Sequence, residues 1–95
     1  MLINKIGDVI HLIWEFPIQT KTSQKNGNSY TEYRVTVPRD LVLFADLDTI
    51  SCDGKQVKVR DNRVTLPVSF IREHKYTSVK YDLDTSTEDV SITFR

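Results

Sequence analysis

Apolar and polar residues alternate along this chain with two distinct periods, and the places where one period gives way to the other divide it into elements. Ile10, Leu12, Trp14 and Phe16 alternate with His11, Ile13 and Glu15, the period of a half-buried strand. This is read as the opening strand, and the polar stretch from Pro17 to Ser29 after it as a loop. Tyr33, Val35 and Val37 then alternate with Arg34 and Thr36, as Val64 and Leu66 do with Arg63 and Thr65. Each of these strands runs into a proline. Pro38 and Pro67 suit the first position of a helix, where a missing N–H would have had no partner. Leu41, Val42 and Ala45, and likewise Phe70, Ile71 and His74, follow the prolines at three, four and seven residues, the spacing of one helical face. Two helices of about two turns are therefore expected.

Hairpins complete the pattern. Ile50 and Cys52 lead to Asp53-Gly54, and Val57 and Val59 lead away from it; Asp-Gly between alternating apolar residues is a strong tight-turn signal. Val79, Tyr81 and Leu83 lead to the polar segment Asp84 to Asp89, from which Val90, Ile92 and Phe94 return. The second hairpin has the longer turn.

Shifted by 29 positions, the chain aligns with itself. Arg34-Val35-Thr36-Val37-Pro38 falls on Arg63-Val64-Thr65-Leu66-Pro67. Beyond the prolines Leu41 falls on Phe70, Val42 on Ile71, Leu47 on Tyr76, Ile50 on Val79 and Asp53 on Asp82. Two strand–helix–hairpin units are read from this, one over about residues 6–59 and one over about 56–95, within a single domain spanning 1–95.

A strand reading Arg-Val-Thr-Val/Leu-Pro, a short helix opened by that proline and then an apolar hairpin resembles the AbrB-like swapped-hairpin family of bacterial and archaeal transcription regulators and antitoxins. In that family two chains interlock one such unit each into a small DNA-binding barrel. The resemblance covers Arg34 to Val59 and again Arg63 to Phe94. It implies a mainly β fold with two short helices, closed into a small swapped-hairpin-like β-barrel within one chain. Such a chain is expected as a folded monomer, or as a homodimer whose separated subunits stay folded. The family usually carries Gly before the Arg and at the helix end; here Tyr33 and Asn62 precede the arginines. Of the basic pair that often follows the helix's first Leu, only Arg72 has a counterpart. The chain stops at Phe94-Arg95, with no tail to wrap a toxin, which disfavours an antitoxin.

Thirteen basic and thirteen acidic residues cancel, which counts against a protein that coats nucleic acid by bulk positive charge, so any such binding requires local segregation. The longest apolar stretch, Val9 to Trp14, is far short of the roughly 20 residues that cross a bilayer as a helix. No signal peptide is read at the N-terminus, and one cysteine allows no internal disulfide. A cytoplasmic protein is expected, with no membrane partner.

Segregation is visible between the two units. Val57-Lys58-Val59-Arg60 and Arg63-Val64-Thr65-Leu66 flank Asp61-Asn62, both residues that tolerate a two-residue turn. In that register Val59 opposes Val64 and Val57 opposes Leu66 on one face, while Arg60 opposes Arg63 and Lys58 opposes Thr65 on the other. Like charges directly opposite destabilise a hairpin, so the arginine pair suggests a surface waiting for an anion, and a basic two-stranded ribbon fits the major groove of duplex DNA; the other reading of the same residues is a solvated polar face with Asp61 offsetting one charge. Lys58, Arg60 and Arg63 are the candidate DNA-binding residues, supported by Arg34, Arg39 and Arg72 and by Lys21 and Lys25 in the polar loop. Asp82, Asp84, Glu88 and Asp89 gather at the other hairpin. The alternative is a small β-rich interaction module that binds no nucleic acid. His11 and His74 lie in different elements without a carboxylate or cysteine at ligand spacing, Cys52 reads as a small buried hydrophobe, and the three glycines form no phosphate loop. Neither catalysis, nor a metal or cofactor, nor a small-molecule ligand is expected.

Overall fold

The computed structural model describes residues 1–95. Its strands are β1 (Leu2–Ile6), β2 (Val9–Pro17), β3 (Gln19–Lys25), β4 (Asn28–Thr36), β5 (Thr49–Cys52), β6 (Lys55–Lys58), β7 (Arg63–Leu66), β8 (Ser78–Asp84) and β9 (Val90–Phe94), with helices α1 (Arg39–Ala45) and α2 (Val68–His74). The fold is mainly β with two short helices, as the periodicity indicates. All the strand pairs are antiparallel.

The sheets do not close into a barrel. They form a four-stranded sheet in the order β1-β2-β8-β9, a three-stranded sheet in the order β3-β4-β7 and the hairpin β5-β6. The hydrogen-bonded ladder breaks at Pro17, the last β2 residue paired with β8, after which Gln19 takes up pairing with Arg34. It breaks again after Arg60, because Val59 gives its N–H to the Asp48 carbonyl at 2.8 Å instead of to β7. One continuous core still joins the three sheets: Trp14, Val35, Val37, Leu41, Ile50, Cys52, Val64, Leu66, Phe70, Ile71, Val79, Tyr81 and Leu83.

At the centre lies the pairing of the two strands that the 29-residue offset aligns. Val35 faces Val64, Arg34 faces Thr65 and Thr36 faces Arg63. Each of those pairs is converted into another, or into itself, when the strands exchange places. Local two-fold symmetry about Val35 and Val64 is the geometric result. The alternation sends Val35, Val64 and Leu66 into the core and leaves Arg34, Thr65, Thr36 and Arg63 on the outer face. Tyr81, fully buried, ties this sheet to β8 by donating its hydroxyl to the Thr36 carbonyl at 3.0 Å.

Burial pushes the Tyr81 phenol well above its ordinary value. The folded state therefore keeps a proton that the unfolded chain releases above about pH 10. That contribution is complete below pH 10 and is lost as pH rises further. Replacing Tyr81 with Phe should cost about 0.5–1.5 kcal/mol at neutral pH through the lost hydrogen bond and flatten the alkaline limb. Urea unfolding of both proteins at neutral pH and above pH 10 measures the two effects.

Both helices begin one residue later than the prolines suggest. Pro38 and Pro67 keep extended ψ values of 132° and precede the first helical residue, their carbonyls accepting from the N–H of Val42 and Ile71. Both helices end on left-handed residues, Asp46 and Lys75, again 29 positions apart. Of the apolar helix faces, Leu41, Phe70 and Ile71 are buried and Val42 and Ala45 half-buried, whereas His74 is exposed. The Asp53-Gly54 hairpin and the β8–β9 hairpin form as the alternation indicates, the first with positive φ at both turn residues (51° and 83°).

Two strands lie where the apolar–polar alternation indicates none. β1 precedes the expected opening strand and folds back on β2 across Gly7-Asp8. The segment read as a loop from Pro17 to Ser29 is instead the larger part of the β3–β4 ribbon, turning at Asn26-Gly27 with positive φ at both residues (54° and 78°). Gln24 to Tyr30 are all exposed, and the molecule measures 55 Å along one axis against 24 Å along the others.

Candidate nucleic-acid interface

The turn between β6 and β7 has the expected register at its tip. Asp61 and Asn62 adopt positive φ (49° and 55°), and Arg60 and Arg63 exchange backbone hydrogen bonds of 2.8 and 2.9 Å. The two arginines therefore stand side by side. The ribbon expected beyond them is absent: Lys58 pairs with Thr49, Val57 with Ile50, and Val64, Thr65 and Leu66 with β4. The Val59/Val64, Val57/Leu66 and Lys58/Thr65 pairs do not form. β7 gains more by lining up beside β4, since that pairing sets Val64 and Leu66 with Val35 in the buried core, while Val57 and Val59 are only half-buried.

This divergence opens a groove in place of a flat ribbon. Its walls are Arg34, Val57, Lys58, Arg60, Asp61, Arg63 and Thr65 around about 550 Å³. Arg34 reaches it from β4 because the β4–β7 register sets Arg34 beside Thr65 on the outer face. Four cations thus meet one acid, Asp61. Arg60 and Arg63, placed next to each other by the turn, have no carboxylate within ion-pair distance, and neither has Lys58. Arg34 alone is paired: its Nε and Nη2 donate to Glu32 Oε2 at 2.9 and 2.6 Å.

Arg39 lines the adjoining groove with Val42, Leu43, Asp61, Asn62 and Arg63, so it extends the basic surface. Lys21 and Lys25 share the outward face of the ribbon with Arg34, opposite Glu32 and Asn28, at about 7 and 20 Å from Gln19, the residue opposite Arg34. Arg72 is exposed on α2 and lines neither groove. Asp82, Asp84, Glu88 and Asp89 also line neither. Asp84 instead accepts from the Ser86 hydroxyl at 2.6 Å and from the N–H groups of Ser86 and Thr87, bonds that hold its carboxyl below the usual range.

Both histidines have carboxylate partners that linear spacing conceals. His11 Nδ1 lies 2.7 Å from Asp82 Oδ1, and His74 Nε2 lies 2.6 Å from Asp53 Oδ2, with Glu73 close by. Asp53 and Asp82 are 29 positions apart. The His74 contact joins the end of α2 to the β5–β6 turn, and stacking on Tyr76 at 5.0 Å fixes the ring. Cys52 is buried, and burial followed by the Asp53 charge raises its thiol, the opposite of what a nucleophilic thiolate requires.

No helix is long and apolar enough to cross a membrane. No family model, curated protein or solved structure matches this chain.

Proposed function

We propose that the protein binds duplex DNA through the groove between β6 and β7, as a transcription regulator of AbrB-like type. The observation that carries this reading is the convergence of Lys58, Arg60 and Arg63 with Arg34 around one groove in a chain of zero net charge. Holding Arg60 and Arg63 together costs like-charge repulsion, and an anion in the groove relieves it. Backbone phosphates supply such anions at regular spacing, and their release of counterions drives association. The resemblance of the two Arg-Val-Thr strands to the AbrB-like family points the same way. Lys21, Lys25 and Arg39 extend the contact surface, and the acidic β8–β9 hairpin stays off it.

Fluorescence anisotropy of a labelled duplex, titrated with protein at several salt concentrations, tests this. Binding at about 50 mM salt should weaken steeply as salt rises, with a slope of about −0.9 for each phosphate contacted. Absence of binding at that salt rejects the reading.

One observation favours a second reading, a protein-interaction module. Leu2, Ile3 and Ile6 are exposed on β1, an edge strand, and Leu43 and Phe44 are exposed on α1. Exposed apolar patches and unpaired strand edges are contact surfaces. No DNA binding, together with light-scattering mass that rises with concentration, replaces the first reading with this one.

A further inference from the structure

Among the groove's cations Arg34 is set apart by its carboxylate partner. Glu32 and Arg34, two residues apart on β4, project from the same outer face, with side chains 23% and 29% exposed. Nε and one N–H of Nη2 are committed to Glu32 Oε2. Both donors of Nη1 and the second of Nη2 remain free. Twenty-nine positions on, Asp61 and Arg63 repeat the acid–x–Arg order, but Asp61 sits in the turn at φ 49° and makes no ion pair with Arg63.

The difference separates two kinds of anion recognition. A phosphate approaching Arg34 meets the Glu32 carboxylate beside it, and the repulsion offsets most of the attraction. A base edge carries no net charge and incurs no such penalty. Guanine offers two acceptors in the major groove, O6 and N7, which match the free Nη1 and Nη2 donors of an arginine. We infer that Glu32 is a positioning residue that makes Arg34 the guanine-reading side chain of the groove, while Lys58, Arg60 and Arg63 contact phosphates. The inference rests on the DNA reading above and assigns roles within it.

Anisotropy with two labelled duplexes of about 20 base pairs, one alternating G·C and one alternating A·T, provides the test. Wild type should prefer the G·C duplex by about 5- to 150-fold, the equivalent of 1–3 kcal/mol for a good bidentate contact. E32Q should lose most of that preference while its affinity for the A·T duplex rises and its salt slope steepens by about 0.9, one added phosphate contact. R34K, which keeps the charge and lacks the fork, should lose the preference on an intact fold, checked by circular dichroism. Equal wild-type affinity for the two duplexes, or full preference in folded E32Q or R34K, overturns the inference and leaves the DNA reading standing. No binding to either duplex overturns both.

Discussion

Replacing Phe70 with Ala should destabilise the protein by about 3–5 kcal/mol, the usual cost of emptying a buried Phe site. The ring stands where α2, the chain after it and the last strand meet. It packs edge-on against Phe94 at 5.0 Å and lies 5.4 Å from Tyr76 and 5.2 Å from His74. In a domain of this length the loss equals a fall in melting temperature of roughly 12 °C or more. Since whole-domain stabilities are commonly about 5–15 kcal/mol, the variant should be at least partly unfolded at 37 °C if the wild type lies near the lower end. Thermal melts followed by circular dichroism decide the matter, and a shift of under about 4 °C would show that Phe70 does not hold α2 to the core.

The second large effect concerns binding. Changing Arg60 and Arg63 together to Ala should leave the fold intact, because both side chains are exposed and their backbone hydrogen bonds across Asp61-Asn62 do not depend on them. Removing the like-charge pair should even stabilise the turn by about 0.2–1 kcal/mol. DNA affinity should fall, and the slope of log affinity against log salt should shrink by about 1.8 if each arginine neutralises one phosphate, since each contributes about 0.9. Unchanged affinity and slope in a folded double variant would remove this groove from the binding surface.

The Arg60–Arg63 contact was legible because Asp61-Asn62 fixes a two-residue turn and a turn fixes its flanking register. The core was legible for a similar reason: Trp14, Val35, Leu66, Val79 and Tyr81 each fall on the apolar beat of a strand and each is buried. What stayed hidden was which strand lies beside which. Alternation identifies the face of β7 that is buried but not whether β6 or β4 supplies its hydrogen bonds, and the choice of β4 turns a ribbon into a groove and brings Arg34 into it. The β3–β4 ribbon is illegible for a different cause. Its turn is the strongest hairpin dipeptide, Asn26-Gly27, yet its distal flanks are polar on both faces because no core lies beneath them. Cross-strand hydrogen bonds hold it, and those leave no hydrophobic period to read. β1 carries apolar residues on both faces of an edge, which breaks alternation in the opposite sense.

Because β4 and β7 pair within one chain, each side of the local two-fold is written separately in the gene. A codon change at Arg34 leaves Arg63 as it was, and the long β3–β4 ribbon on one side has only the short Asp61-Asn62 turn as its counterpart on the other. In a symmetric assembly of two chains any such change arrives twice, so the two sides stay matched. Here they can accumulate substitutions independently, so the two sides of this surface are free to diverge in charge and shape while the β4–β7 pairing is kept.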